Sequence, residues 1–306
     1  MKAYVFNYVD KFKCIADKCA HSCCKGWGVC IDKKSLKRYK KDKSEFSKRL
    51  KTSIDFKNSC FILDKNKKCL FLNDNNLCDL IIAKGENALC QVCRDHPRFR
   101  SFFKGRVETG LGLSCEEACR IILSFEDKMS LIPVDEKREK LSKFDKKVLA
   151  FRKNVLFYLQ DRNLSIGDRL NDLCREYGIN ITKDTLTAFK DFLLTLEILD
   201  TSWFSDLSKI VLIDFDLSEI ESQTVIEQLL CYFIYRHVST AKTEEELLVK
   251  LIFSIVSTEF IIGTAKTLSQ NLFDVARSYS AEIEYSNDNL DKIYDYIDRN
   301  HRLERL

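Results

Sequence analysis

From about residue 140 to the end of the chain, apolar residues return at every third or fourth position. Leu149, Phe151, Val155, Leu156 and Leu159 form one such stripe, and Leu186, Phe189, Phe192, Leu193 and Leu196 a second. Ile226, Leu229, Leu230 and Phe233 make a third; Leu247, Leu248, Leu251 and Ile252 make a fourth. A helix of 3.6 residues per turn gathers such positions on one face, so the pattern predicts a bundle of roughly six or seven helices. The most apolar run, residues 247–262, is interrupted by Lys250 and Glu259, which predicts a buried helix rather than a membrane span. The first 124 residues lack this rhythm. They predict a short basic helix over 33–51 and polar turns at 64–68 and 73–76, rich in Asp, Asn and Lys. The fold class read from this is mainly α. A cysteine-rich, metal-binding module occupies 1–124 and a helical domain 125–306, joined by a polar bridge around Pro133.

Composition agrees with this division. Two prolines and nine glycines in 306 residues favour long helices over strands and turns. The first residues contain no apolar stretch of leader length, so the expected location is the cytoplasm, with no membrane partner. Gly110 and Gly112 are too sparse for a dinucleotide or methyl-donor fingerprint. The net charge of +4 is unevenly spread, since residues 1–50 carry 14 Lys/Arg against 5 Asp/Glu. The basic run at 33–51 reads as a solvated helix face. Binding of nucleic acid is not expected, because interleaved aromatics and a reader motif are lacking.

Candidate chemistry changes the picture most at the cysteines. Twelve of the 14 lie between Cys14 and Cys119; Cys174 and Cys231 read as small buried hydrophobes. Thiols concentrated in one segment of a large chain point to metal ligation rather than a disulfide framework. The segment holds only two histidines, His21 and His96, which leaves all-thiolate ligation. Both zinc and iron–sulfur clusters accept that donor set.

The cysteine spacings carry a resemblance. The run C-x4-C-x3-CC-x-GW at 14–27 resembles the opening of the flagellin lysine-N-methylase family, which is related to bacterial cysteine-cluster proteins. KCLFLNDNNLCDL at 68–80, CRDHPR at 93–98 and LSCEEA at 113–118 resemble its next signatures. YFIYRHVSTA at 232–241 and RSYSAEIEYSNDNL at 277–290 resemble its two C-terminal ones, so the likeness runs along nearly the whole chain. It places Cys14, Cys19, Cys23, Cys24, Cys69, Cys78, Cys93 and Cys115 on the family's cysteine positions. Cys30, Cys60, Cys90 and Cys119 fall outside them. A [4Fe-4S] cluster is the preferred group and zinc the alternative. His96 stands where the family usually has an aromatic residue, leaving Pro97 and Arg98 as the matched pair.

The resemblance implies methyl transfer from S-adenosylmethionine to lysine amines of flagellin or another lysine-bearing protein. Such a reaction needs a neutral amine, and therefore a proton acceptor, and it needs polar or aromatic neighbours for the sulfonium. On one continuous helix Glu282, Ser286 and Asn289 would share a face, with Tyr279 a turn earlier. Glu282, Tyr279 and His237 are thus the catalytic candidates. Arg98, Arg236, Ser286 and Asn289 are the candidates for binding the methyl donor. Glu282 is alternatively a structural partner of Arg236. The C-x3-C-x2-C pattern of radical S-adenosylmethionine enzymes is missing, because Cys23 and Cys24 are followed by no cysteine until Cys30. The competing function is a non-catalytic zinc or iron–sulfur binding or redox module with a helical docking domain.

Overall fold

The structure is a computed structural model and describes residues 1–211, 217 and 222–303, with side chains to residue 300. Residues 304–306, which close the predicted helical domain, lie outside the described residues. In chain order the first elements are β1 (Lys2–Phe6), α1 (Lys33–Lys41), α2 (Ser47–Ser53), β2 (Ile54–Asp55), β3 (Cys60–Phe61), α3 (Asp79–Lys84) and α4 (Gln91–Asp95). Then come β4 (Arg98–Phe103), β5 (Arg106–Leu111), α5 (Glu116–Leu123) and β6 (Leu131–Pro133). The helices α6 (Lys143–Leu159), α7 (Ile166–Tyr177), α8 (Lys183–Leu193), α9 (Thr201–Lys209), α10 (Gln223–His237), α11 (Glu244–Leu268), α12 (Leu272–Ile283) and α13 (Asn287–Leu303) follow. The chain is mainly α, and eight helices among the described residues follow residue 125 where six or seven were expected.

Two compact units are formed. One comprises Lys13–Arg98 with Cys115–Glu117; the other comprises Met1–Phe12, Phe99–Ser114 and the chain from Ala118 onward. The helical unit therefore takes in the N-terminal strand and the β4–β5 hairpin, which the sequence boundary at residue 124 had assigned to the cysteine-rich part.

The cysteine-rich unit has a small core of Val29, Ile31, Tyr39, Leu50, Phe61 and Phe71. Asp32 caps α1 by accepting from the Ser35 N–H at 2.9 Å, and Arg38, Lys40 and Lys41 suit its C-terminal end. The single helix expected over 33–51 is two. Asp42 turns extended, and its carboxylate accepts from the Ser44 N–H at 2.9 Å and from Lys84 at 2.7 Å, so the chain bends there. Arg38 also has a structural task, donating to the carbonyls of Asn87, Ala88 and Leu89. Both expected polar turns form. The Asp64 side chain accepts from the Asn66 and Lys68 N–H groups, and the Asn73 side chain from those of Asn75 and Leu77.

In the helical unit, β1 pairs parallel with β5 and antiparallel with β6, giving the order β4-β5-β1-β6. No strands were named from the sequence, and this sheet is an addition to a fold that is mainly α. Gly110 on β5 lies beneath two rings, and a methyl group there would stand 2.6 Å from Phe99 and 2.9 Å from Phe6. Its glycine is required by packing. Six of these helices begin with side-chain caps: Ser142 with Asp145 in a capping box, Ser165, Thr182, Asp200, Thr243 and Asn271. Helix α11 is long and apolar enough to cross a bilayer, but 89% of its apolar window is buried inside the protein, as the sequence predicted.

Candidate functional site

Two clusters of reactive side chains stand out, one in each unit. In the cysteine-rich unit the chain folds back so that the Cys69 N–H donates to the Cys24 carbonyl at 2.8 Å. Cys78 precedes α3, Cys90 precedes α4, and Cys93 lies on α4. Cys24, Cys69, Cys78, Cys90 and Cys93 all border the same hydrophobic core. Cys24 feels the charges of Cys23, and Cys69, Cys78 and Cys93 each feel that of Cys24. Burial pushes the Cys69 thiol up to about 11 and raises Cys78 as well. Cys24 is raised by a hydrogen bond with Cys23 and then by burial. Cys93 is raised by its hydrogen bond with Cys90, whose own thiol is lowered by the same bond.

Thiols gathered in this way resist ionisation until a cation joins them, after which they are deprotonated outright. The donor chemistry of Cys24, Cys69, Cys78 and Cys93 thus suits a soft metal or an iron–sulfur cluster. Among the described residues no three Cys, His, Asp or Glu side chains already stand in a metal-holding arrangement, so the structure assigns no coordination geometry. Of the other thiols named from the sequence, Cys23 joins this group through its bond with Cys24, whereas Cys14, Cys19 and Cys115 are not packed against the core. Cys14 is exposed. Cys19 lies 3.6 Å from the Glu116 carboxylate and within the electrostatic reach of Cys115. The same Glu116 oxygen accepts from the Ala20 and His21 N–H groups. Trp27 is partly exposed and donates to the Cys23 carbonyl at 2.8 Å, which fixes the start of the thiol cluster.

The second cluster lies in the helical unit around Glu284, just beyond the end of α12. Its carboxylate is fully buried and meets Arg236 Nε at 2.9 Å, His237 Nε2 at 2.7 Å and the Tyr232 hydroxyl at 2.9 Å. The Tyr232 oxygen in turn accepts from Arg236 at 2.7 Å and from the Leu113 N–H at 3.2 Å. Its single proton and both lone pairs are thereby used. Burial opposes the charge on Glu284, but Arg236 and His237 outweigh it and hold the carboxyl below its usual range. Burial also lowers His237, against the pull of Glu284, so the imidazole is neutral at neutral pH. A carboxylate only accepts, which places the imidazole proton on Nε2. Nδ1 then presents a lone pair, 2.7 Å from the Tyr294 hydroxyl. The guanidinium of Arg236 faces the rings of Phe99, Tyr232 and Tyr285.

The structure brings together Arg236 and His237 among the residues singled out from sequence, and adds Glu284, Tyr232 and Tyr294. Glu282, Ser286 and Asn289 do not share one helix face, because α12 ends at Ile283 and α13 starts at Asn287. Glu282 accepts from the Leu199 and Asp200 N–H groups at 2.6 and 3.0 Å. Asn289 bonds both the N–H and the carbonyl of Glu197, at 3.1 and 3.0 Å. Ser286 accepts from the Asn289 N–H at 3.2 Å. All three hold loops. The partner of Arg236 is Glu284, two residues beyond the expected Glu282. Tyr279 is buried in the core, bonded to Ser257 at 2.7 Å and packed edge-on to Trp203. Arg98 opens β4 in a half-buried position. The signal for Glu284 was present in the sequence, in the same signature as Glu282, and Tyr232 lies one helical turn before Arg236.

Part of the chain is similar to curated proteins that bear the names suggested by the sequence resemblance. Over 137 residues the chain is 28% identical to the flagellar biosynthetic protein FliU of Salmonella muenchen, covering 40% of this chain and 78% of that one. It is equally similar, over a stretch of the same length, to the lysine-N-methylases of Salmonella typhimurium and Salmonella choleraesuis. The match spans only 33% of the length of each lysine-N-methylase. No protein-family model and no solved structure matches the chain.

Proposed function

We propose that this chain is an S-adenosylmethionine-dependent protein lysine N-methyltransferase acting on flagellin, with a thiolate-held iron–sulfur cluster in its cysteine-rich unit. The observation that carries the reading is the similarity to lysine-N-methylases; the name of the FliU relative supports a flagellar substrate.

In the reaction the lysine nitrogen attacks the sulfonium methyl group. The new C–N bond takes the amine lone pair, the S–C electrons remain on sulfur, and one proton leaves the nitrogen. The amine must be neutral beforehand. His237 is the group suited to receive that proton. It is neutral, its Nε2–H is committed to Glu284, and its Nδ1 lone pair meets the Tyr294 hydroxyl. Once protonated, the imidazolium is stabilised by the Glu284 carboxylate at 2.7 Å. Arg236 keeps that carboxylate ionised and oriented. Cys24, Cys69, Cys78 and Cys93 are the thiols that would hold the cluster. When bound, it would tie these segments of the unit together and supply rigidity.

The test is to incubate anaerobically purified protein with flagellin and methyl-labelled S-adenosylmethionine, then map the label by peptide mass. Label on flagellin lysines, lost in His237→Ala while folding is retained, is the expected result. Absence of label from every lysine-bearing partner, in protein that holds its full iron content, overturns the reading. A zinc-loaded protein that does not bind S-adenosylmethionine would make the cysteine-rich unit a structural clamp.

A further inference from the structure

Cys30 and Cys60 lie outside the thiol set discussed above, yet they stand opposite each other on two neighbouring antiparallel segments. The hydrogen bonds on either side define the type of pair. The Ile31 N–H donates to the Ser59 carbonyl at 2.7 Å, and the Phe61 N–H donates to the Val29 carbonyl at 3.1 Å. Cys30 and Cys60 therefore occupy a position with no ladder bond between them. In such pairs the Cα atoms approach to about 4.5 Å and the side chains project to the same face. That separation is inside the range of about 4.4–6.8 Å that a disulfide spans. Cys30 is exposed and Cys60 half-buried, so solvent reaches the pair.

We propose that Cys30 and Cys60 form a reversible cross-strand disulfide by exchange with a small disulfide such as glutathione disulfide. The exposed Cys30 thiolate attacks one sulfur of the glutathione disulfide. That S–S bond breaks, and one glutathione leaves as a thiolate. The Cys60 thiolate then attacks the Cys30 sulfur and expels the second glutathione. Two electrons and two protons pass from the cysteines to glutathione disulfide, which ends as two thiols. Burial, with Asp55 nearby, raises the Cys60 thiol, in keeping with its role as the second attacker. The bond would close a loop carrying α1, α2 and the basic run of the chain. This inference is independent of the methyltransferase reading.

The test uses the full chain as purified, with whatever metal it holds. It is equilibrated in glutathione buffers of rising oxidised fraction, alkylated and digested with trypsin. Cleavage after lysine isolates Cys30 in the peptide 26–33 and Cys60 in the peptide 58–65. The expected result is one linked species of these two peptides, lighter than their sum by two hydrogens. It should appear at a lower oxidised fraction than any other disulfide in the protein and revert on reduction. Cys60→Ser should abolish it and leave Cys30 glutathionylated. Both peptides remaining alkylated, or carrying only glutathione, while other thiols oxidise would overturn the proposal. So would a link from either cysteine to a different partner.

Discussion

Glu259 sits on the long apolar helix α11, and burial alone pushes its carboxyl from 4.5 up to about 8. The folded chain therefore keeps this proton up to about pH 8, whereas the unfolded chain releases it near pH 4.5. Between those values the folded state binds more protons, and stability must fall as pH rises. Each unit of pKa difference is worth about 1.4 kcal/mol. The full interval corresponds to roughly 4–5 kcal/mol, and partial solvent contact of this half-buried residue reduces the swing to about 2–4 kcal/mol. Glu259→Gln removes the titration while nearly preserving the shape. Urea unfolding of both proteins at pH 5 and pH 8 isolates the effect, because every other titrating group cancels in the difference. The variant should match the parent within about 1 kcal/mol at pH 5 and exceed it by about 2–4 kcal/mol at pH 8. An equal difference at both values would refute the reasoning. The nearby Cys174 thiol, itself pushed up to about 12 mainly by burial, stays protonated across this interval.

Two further outcomes follow from the polar groups of the helical unit. Glu284→Ala leaves the Arg236 guanidinium buried without its carboxylate and should cost about 3–5 kcal/mol; adding Arg236→Met should recover most of that loss. A double-mutant cycle by urea unfolding measures this, and purely additive losses would contradict the pairing. Ser142→Ala removes the hydroxyl that caps α6, while the backbone N–H of residue 142 still donates to Asp145, and should cost about 1 kcal/mol in the same assay; no change would show that the cap is compensated elsewhere.

The helical half was readable because its stripes are local. A residue and its neighbours three and four positions away decide which face is buried, and α6, α8, α10 and α11 lie where those stripes fall. The sheet was harder to see, because β1 pairs with β5 about one hundred residues away and no local pattern encodes that pairing. The β4–β5 hairpin did leave a signal in its Lys104-Gly105 turn, where Gly105 adopts φ +80°. The buried charges were hidden for a related reason. Arg152 lies on the buried face of α6, bonded to Glu108 at 2.6 and 2.8 Å, and Glu227 on α10 receives Arg169 at 2.7 Å. Alone in a sequence, each resembles a solvent-facing charge; its partner comes from a distant element. Glu284 was passed over for Glu282 because α12 stops between them. The clue was Ser286, three residues before Asn289, where it serves the first turn of α13.

The anchoring of residues 197–200 by Glu282 and Asn289 bears on how the helical unit exchanges its amide hydrogens with solvent. Glu197, Leu199 and Asp200 belong to no helix, yet each N–H is held by a side chain from the region around the α12–α13 junction. Their exchange should be slowed to rates typical of helical amides, and released only when that junction opens. The connection between α8 and α9 and the junction beside Glu284 would then open as one cooperative segment, so that loosening either end exposes both.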